Sequence, residues 1–168
     1  MIFIYNDYGG THTTSLVAAY HLKKLPTDRT LTKEEIINVD YFNKLTKHDF
    51  GKLIFHGLDE DGNAVYTIGR KNDKYVVPAL QNFSTLLQKN YNLDEKIILS
   101  NTSPTVPIAM TIGGLFSRGL HIDFIGVPLL ITGAKQCCGR IKRLVEHTKK
   151  VSCSRDSKII VLENKSYK

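Results

Sequence analysis

Short apolar runs rich in β-branched and aromatic residues alternate along the chain with stretches whose apolar positions recur at helical spacing. Ile2 to Tyr5 form the first run, which ends at the glycine pair Gly9-Gly10. Over residues 13–25, Leu16, Ala19 and Tyr20 fall on one helical face, and Pro26 stops the segment. Thr32 lies three residues before Glu35, the spacing of a capping box, and predicts a short helix through Ile36 and Ile37. In "KLIFHGLDEDGNAVYTIGR" two β-prone runs flank Asp61-Gly62, a step that accepts the positive φ of a tight turn. This predicts a β-hairpin over residues 51–71.

The second half repeats the alternation. Leu80, Phe83, Leu86 and Leu87 share a helical face in "VPALQNFSTLLQKNY", which starts at Pro78, and "KIILSN" follows as a buried strand. "IAMTIGGLFSRGL" reads as a helix after Pro107, "IDFIGVPLLITGA" as a strand or broken strand, "QCCGRIKRLVEHTKK" as a helix and "KIIVLE" as the last strand. Gly113 and Gly114 each cost a helix interior about 1 kcal/mol, so they mark close helix packing or approach to a ligand. The expected fold class is α/β: a single-domain Rossmann-like three-layer sandwich with a mostly parallel sheet and an inserted β-hairpin. One domain is expected over residues 1–168, with a frayed tail at 164–168.

Composition narrows the class. A chain of 168 residues, 42% hydrophobic, has enough apolar material for one core. The net charge is +7, but Lys and Arg are spread along the chain with only mild clustering after residue 135, which argues against a nucleic-acid face. Three cysteines, two of them adjacent, fit a reduced chain better than a disulfide framework. The N-terminus lacks a basic leader, and no apolar run reaches the roughly 20 residues a membrane helix needs. The expectation is a soluble, cytoplasmic protein without membrane contact, compatible with a homodimer.

The candidate chemistry sits in the first turn, Asp7-Tyr8-Gly9-Gly10-Thr11-His12-Thr13-Thr14. In an α/β sheet this turn lies at the carboxyl edge, where ligands bind, and unpaired N–H groups at a helix start favour an anion. Gly9 and Gly10 admit close approach, while Thr11, Thr13 and Thr14 add hydroxyls. The helix dipole favours a neutral His12, able to serve as acid/base or oxyanion donor, with Asp7 orienting it or holding a cation. Asn101 and Thr102 in the turn after "KIILS" and a cationic clamp from Arg118, or from Arg70, would complete a polar cleft. The competing reading makes the glycines a tight turn, one threonine a helix cap, and Arg118 a partner of helix carbonyls. The P-loop pattern is absent because the loop has no lysine. The aspartate loop of haloacid-dehalogenase-like phosphatases fails too, since Gly9 stands at the second aspartate. His21 and His56 gain no ligand role from spacing.

"CCGRIKR" resembles the phosphate loop of low-molecular-weight tyrosine phosphatases at Cys137, Gly139, Ile141 and Arg143, but Leu144 replaces the hydroxyl residue after the arginine. Asp59, Asp61 and Asn63 imitate the start of a calcium loop, yet Arg70 stands where a bidentate glutamate would close it. Neither a metal-ligand motif nor a cofactor signature appears.

Taken together, "YGGTHTT", "AAYHLKKLP", "GKLIFHGLDEDGNAVYTIGR", "VPAL" and "IGGLFSRGL" are similar to an uncharacterised family of small proteins from Gram-positive, largely spore-forming bacteria. The resemblance reaches to about residue 147 and leaves out the cysteine pair. It implies a bacterial cytosolic protein and no particular chemistry. The residues themselves favour a protein that binds a phosphorylated small molecule or nucleotide at the first strand–helix turn, as a hydrolase or transferase. The alternatives are a non-catalytic regulatory or protein-interaction module that docks through the hairpin, and a cysteine-dependent phosphatase.

Overall fold

A computed structural model describes residues 1–154 and 157–168. Its strands are β1 (Ile2–Asp7), β2 (Ile54–Leu58), β3 (Ala64–Gly69), β4 (Ile97–Asn101) and β5 (Ile159–Leu162). The helices are α1 (Thr13–His21), α2 (Lys33–Asn38), α3 (Val76–Tyr91), α4 (Ile108–Gly114) and α5 (Asp123–Ser152). The strands form one sheet in the order β2-β3-β1-β4-β5. β1 runs parallel to both neighbours and β5 parallel to β4, so only β2 is antiparallel. The mostly parallel α/β sheet expected from the alternation is therefore present. The hairpin is not an appended insertion, because its second strand is the interior neighbour of β1.

Side chains of β1 alternate between two apolar clusters, as the pleat requires. Phe3 and Tyr5 join the larger one with Leu16, Val17 and Ala18 of α1, Ile36 of α2 and Leu130, Ile141 and Leu144 of α5. Ile4 joins the smaller one with Ile68 and Leu99, against which Val76, Val77 and Leu80 of α3 pack. Every residue of α1 is buried, so the single apolar face read from Leu16, Ala19 and Tyr20 understates its enclosure. The helix also ends earlier than expected, since Lys23 turns left-handed at φ 54. At α2 the capping box forms as the spacing implies: Glu35 N donates to the Thr32 hydroxyl, and Thr32 N donates to the Glu35 carboxylate.

One segment departs from the sequence reading. "IDFIGVPLLITGA", expected as a strand, opens the 30-residue helix α5. Its β-branched residues suit a strand and Pro128 disfavours a helix interior, but Gly126, Leu130, Gly133, Cys137, Ile141 and Leu144 line one buried helical stripe. The glycines allow α4 to approach. A Cβ on Gly126 would lie 2.6 Å from Ser117 N, one on Gly133 2.8 Å from Met110 N, and one on Gly113 2.8 Å from Leu130 N. Close helix packing thus accounts for Gly113. Beyond α4 the chain makes a π-helical turn, Leu115–Gly119.

A polar chain crosses the larger core. The Tyr5 hydroxyl lies 2.7 Å from His21 Nδ1, and His21 Nε2 lies 3.0 Å from Asp59 Oδ2. Asp59 also accepts from the N–H groups of Asp61 and Asn63 and from the Asn63 amide, so this carboxylate builds the hairpin turn. Burial pushes His21 down to about 4, against the opposing pull of Asp59. Burial would raise Asp59, but the donors from His21 and Asn63 outweigh it and hold the carboxylate at about 2. His56, buried beside Thr67, is likewise lowered to about 4 by burial.

These shifts set a sign. A histidine whose folded value lies below its unfolded 6.5 stabilises the fold fully above pH 6.5 and loses that contribution as pH falls toward about 4. Denaturant titrations from pH 7.5 to 4.5 should show stability level down to about pH 6.5 and then falling by up to about 1.4 kcal/mol per pH unit for each histidine. A flat profile over that range would contradict the buried, neutral assignment.

Candidate functional site

The helix that follows β1 and the helix that follows β3 pack on opposite faces of the sheet. The neighbouring carboxyl ends of β1 and β3 therefore send their chains apart, the geometry at which open α/β sheets leave a crevice. The turn itself is tight. Gly10, at φ 71, lies so near β3 that a Cβ would meet Gly69 N at 2.5 Å, and one on Gly69 would meet Gly9 O at 2.7 Å. Here glycine is required at Gly10 twice over, by backbone conformation and by contact.

Asp7 organises the turn. Its Oδ1 accepts from Gly10 N at 2.5 Å and its Oδ2 from the Thr13 hydroxyl at 2.6 Å. The Thr13 hydroxyl in turn lies 3.3 Å from that of Thr102, so the turn after β4 does sit beside the first turn. Asp7 is buried and makes no hydrogen bond to His12, so it is the turn, and not the imidazole, that this carboxylate orients. The other threonines diverge. Thr11 donates to Tyr41 O at 2.6 Å and accepts from Lys44 N and Leu45 N, which ties it to the 41–45 loop. Thr14 and its neighbour Ser15 are buried in the first turn of α1 with hydroxyls that have no partner.

His12 is oriented by Asn43, a residue that sequence reasoning missed. His12 Nε2 lies 3.1 Å from Asn43 Oδ1, and Arg118 Nε donates to the same oxygen at 2.9 Å. Asn43 Nδ2 donates to the Ser117 hydroxyl at 2.9 Å, and Ser117 donates to Asp123 Oδ1. With Oδ1 accepting from Arg118, the consistent assignment is an Nε2–H tautomer for His12, which leaves Nδ1 with its lone pair. That nitrogen faces Gly114, where a Cβ would lie 3.6 Å from Nδ1 and 3.2 Å from Cε1. Burial lowers His12 below its ordinary value, with Asn43 and Asp7 opposing and Arg118 assisting. The neutral ring expected from the helix dipole is supported, but desolvation is the main cause.

The remaining sequence candidates separate. Asn101 donates to Glu163 and accepts from Ser103 N, beside β5 and away from His12. Arg70 donates to Asn6 Oδ1 at 2.9 Å and shares no hydrogen-bond partner with Arg118. Thr102 is fully buried, its hydroxyl within reach of Asn6 O and Thr13. The phosphatase reading of "CCGRIKR" is overturned: the segment lies inside α5, Cys137 is fully buried, and burial pushes its thiol up to about 12. A thiol held protonated in a helix interior is no nucleophile. Among the described residues no three His, Cys, Asp or Glu side chains gather as a metal-binding group, and no helix is long and apolar enough to cross a membrane. A groove of about 480 Å³ runs past Lys33, Asp123, Phe124, Pro128 and Lys135, and meets the His12 cluster at Asp123.

Residues 2–150 match the family model described as Protein of unknown function (DUF3189), while no curated protein and no solved structure matches the chain.

Asp7→Ala removes the acceptor of two buried donors, and each orphaned donor costs about 1–3 kcal/mol. Equilibrium unfolding should register a loss in that range or above it, and Gly10→Ala should be at least as damaging. Wild-type stability in both variants would show the turn to be looser than these contacts imply.

Proposed function

The chain belongs to the DUF3189 family, whose description assigns no activity, and from the site itself we propose that it binds a phosphorylated small molecule at the carboxyl end of β1. The frame is a Rossmann-like three-layer arrangement, and the chemistry is that of a hydrolase or transferase. The observation that carries this reading is the convergence of His12 and Arg118 on Asn43 Oδ1 at the start of α1. A cation and an imidazole from distant parts of the chain are held within one hydrogen bond of a common anchor, where helix N–H groups concentrate positive potential.

Each residue then has a task. Asp7 is occupied by Gly10 N–H and the Thr13 hydroxyl, so it fixes the turn's shape. Arg118 spends Nε on Asn43 and keeps its two terminal nitrogens for phosphoryl oxygens, the bidentate geometry in which guanidinium is strongest. Gly9, half-buried, leaves the backbone open to the ligand, while Thr14 is enclosed in the first turn of α1 and does not reach it. His12 Nδ1, which keeps its lone pair, accepts a proton from an attacking water or hydroxyl. Thr11 and Thr102 hold the surrounding loops, and Asn101 lies outside the cleft.

A second reading has its own support. The edge strand β2 exposes Phe55 and Leu58, with Leu53 just before it, which suits a regulatory module that docks through its hairpin. The two readings part on ligand response.

Thermal unfolding against inorganic phosphate, tripolyphosphate and sugar phosphates should show stabilisation, about 2.7 kcal/mol at 100 times the dissociation constant. Arg118→Ala should weaken binding by tenfold or more, as expected for loss of a charge-assisted pair worth about 1.5–3 kcal/mol. Gly114→Ala should crowd His12 and depress any turnover while leaving phosphate affinity nearer wild type. Because burial lowers His12, the acid limb of that turnover should lie at lower pH than an ordinary imidazole would give. No response to any phosphate, with a hairpin variant losing a partner instead, would favour the docking module.

A further inference from the structure

The crevice has a second wall. At the end of β3, Arg70 N donates to Asp7 O and Lys71 N to Tyr8 O, both at 2.9 Å, which locks the β3–α3 loop against the first turn. The loop brings three cations, Arg70, Lys71 and Lys74, and among the described residues none of them pairs with a carboxylate. Two of them rest on aromatic rings instead. Lys71 Nζ lies 4.8 Å from the Phe50 ring centre and Lys74 Nζ 5.1 Å from that of Tyr75. Tyr8, directly before Gly9, stands edge-on to Phe50 at 6.2 Å and 84°, yet is 56% exposed; Tyr75 is 67% exposed.

Neither ring is explained by burial, and no cation there by charge neutralisation. A ligand that is both anionic and flat would satisfy both at once. We infer that the ligand of this site is a nucleotide, its base laid on the face of Tyr8 and its phosphate chain running past Lys71 and Arg70 toward the start of α1. The inference rests on the phosphate reading of the turn and names the substrate class for it. Stacking on an aromatic ring tolerates any base, because every base has a π face, so Tyr8 supplies affinity and the cations supply charge. A mononucleotide fits better than a polynucleotide strand, since the rim is confined to one loop and one turn. The cations elsewhere are dispersed or already paired, as at Lys23 with Glu60 and Lys24 with Asp40.

The test is calorimetric titration of the full chain with tripolyphosphate, ATP, UTP and a single-stranded oligonucleotide of about ten bases at one ionic strength, repeated on Tyr8→Ala, Tyr8→Phe and Lys71→Ala. Wild type should bind at least one nucleoside triphosphate about tenfold more tightly than tripolyphosphate. Tyr8→Ala should erase that margin without changing tripolyphosphate affinity, and Tyr8→Phe should keep it. Lys71→Ala should weaken both ligands together. Equal affinity for tripolyphosphate and nucleotides in wild type would overturn the nucleotide inference and leave the phosphate site standing. An undiminished margin in Tyr8→Ala would overturn the role of Tyr8, and tighter binding of the oligonucleotide than of either nucleotide would move the rim to a polynucleotide. Absence of binding by all four probes would overturn the phosphate site and this inference with it.

Discussion

A single carboxylate, Asp7, sets how the chain leaves its central strand. It gathers Gly10 N–H and the Thr13 hydroxyl onto its two oxygens, bending the backbone through a left-handed glycine into the start of α1. The bend brings Gly9 and Gly10 onto the backbone of Gly69 and lets Thr13 touch Thr102. The ends of β1, β3 and β4 are thereby held around one point. His12 stands at that point because the bend places it at the N-terminus of α1. A negative charge that already uses two donors also shapes what can bind. The anion proposed to bind here would have to be met by Arg118 and the neighbouring cations, and not by the turn alone.

The cluster around Asn43 shows how a site can be assembled from parts that are individually plain. Asn43 sits left-handed at φ 54, a conformation asparagine accepts more readily than most residues. There its amide oxygen faces His12 and Arg118 while its nitrogen faces Ser117. Ser117 and Arg118 lie in a π-helical turn, a local widening of the helix that re-aims consecutive side chains and is often found at functional sites. The orientation of His12 therefore depends on a loop and a distorted helix, both outside the turn in which it lies.

What could be read from the sequence was local. The capping box at Thr32 and Glu35, the hairpin at Asp61-Gly62 and the strand–glycine–helix opening are each specified by neighbours in the chain, and each appears. The segment at 122–134 was misread because its apolar residues suit either period, and the deciding factor was the glycine seam facing α4 from another part of the chain. Asn43 carried no signal at all, since "YFNKL" has no distinctive spacing and its partners lie far along the sequence. The direction of the Asn101 side chain is hidden for a different reason. Its register beside Asn6 is fixed by pairing with β1, and that register turns its side chain toward Glu163. The contact of Arg118 with Asn43 is likewise not legible in the sequence, since the two lie far apart along the chain.

The enclosure of α1 also governs how the molecule breathes. A helix with no exposed residue cannot fray from one face into water, for its neighbours on the sheet, α2 and α5 must first withdraw. Its hydrogen-bonded amides belong to the last protons to exchange with solvent, released only when the whole domain opens. α3 has no fully buried residue and holds to the sheet through the partly buried Val76, Val77 and Leu80. The two segments beside the first turn accordingly differ in enclosure: His12 leads into a helix buried on every side, and Lys71 precedes one that lies largely open to water.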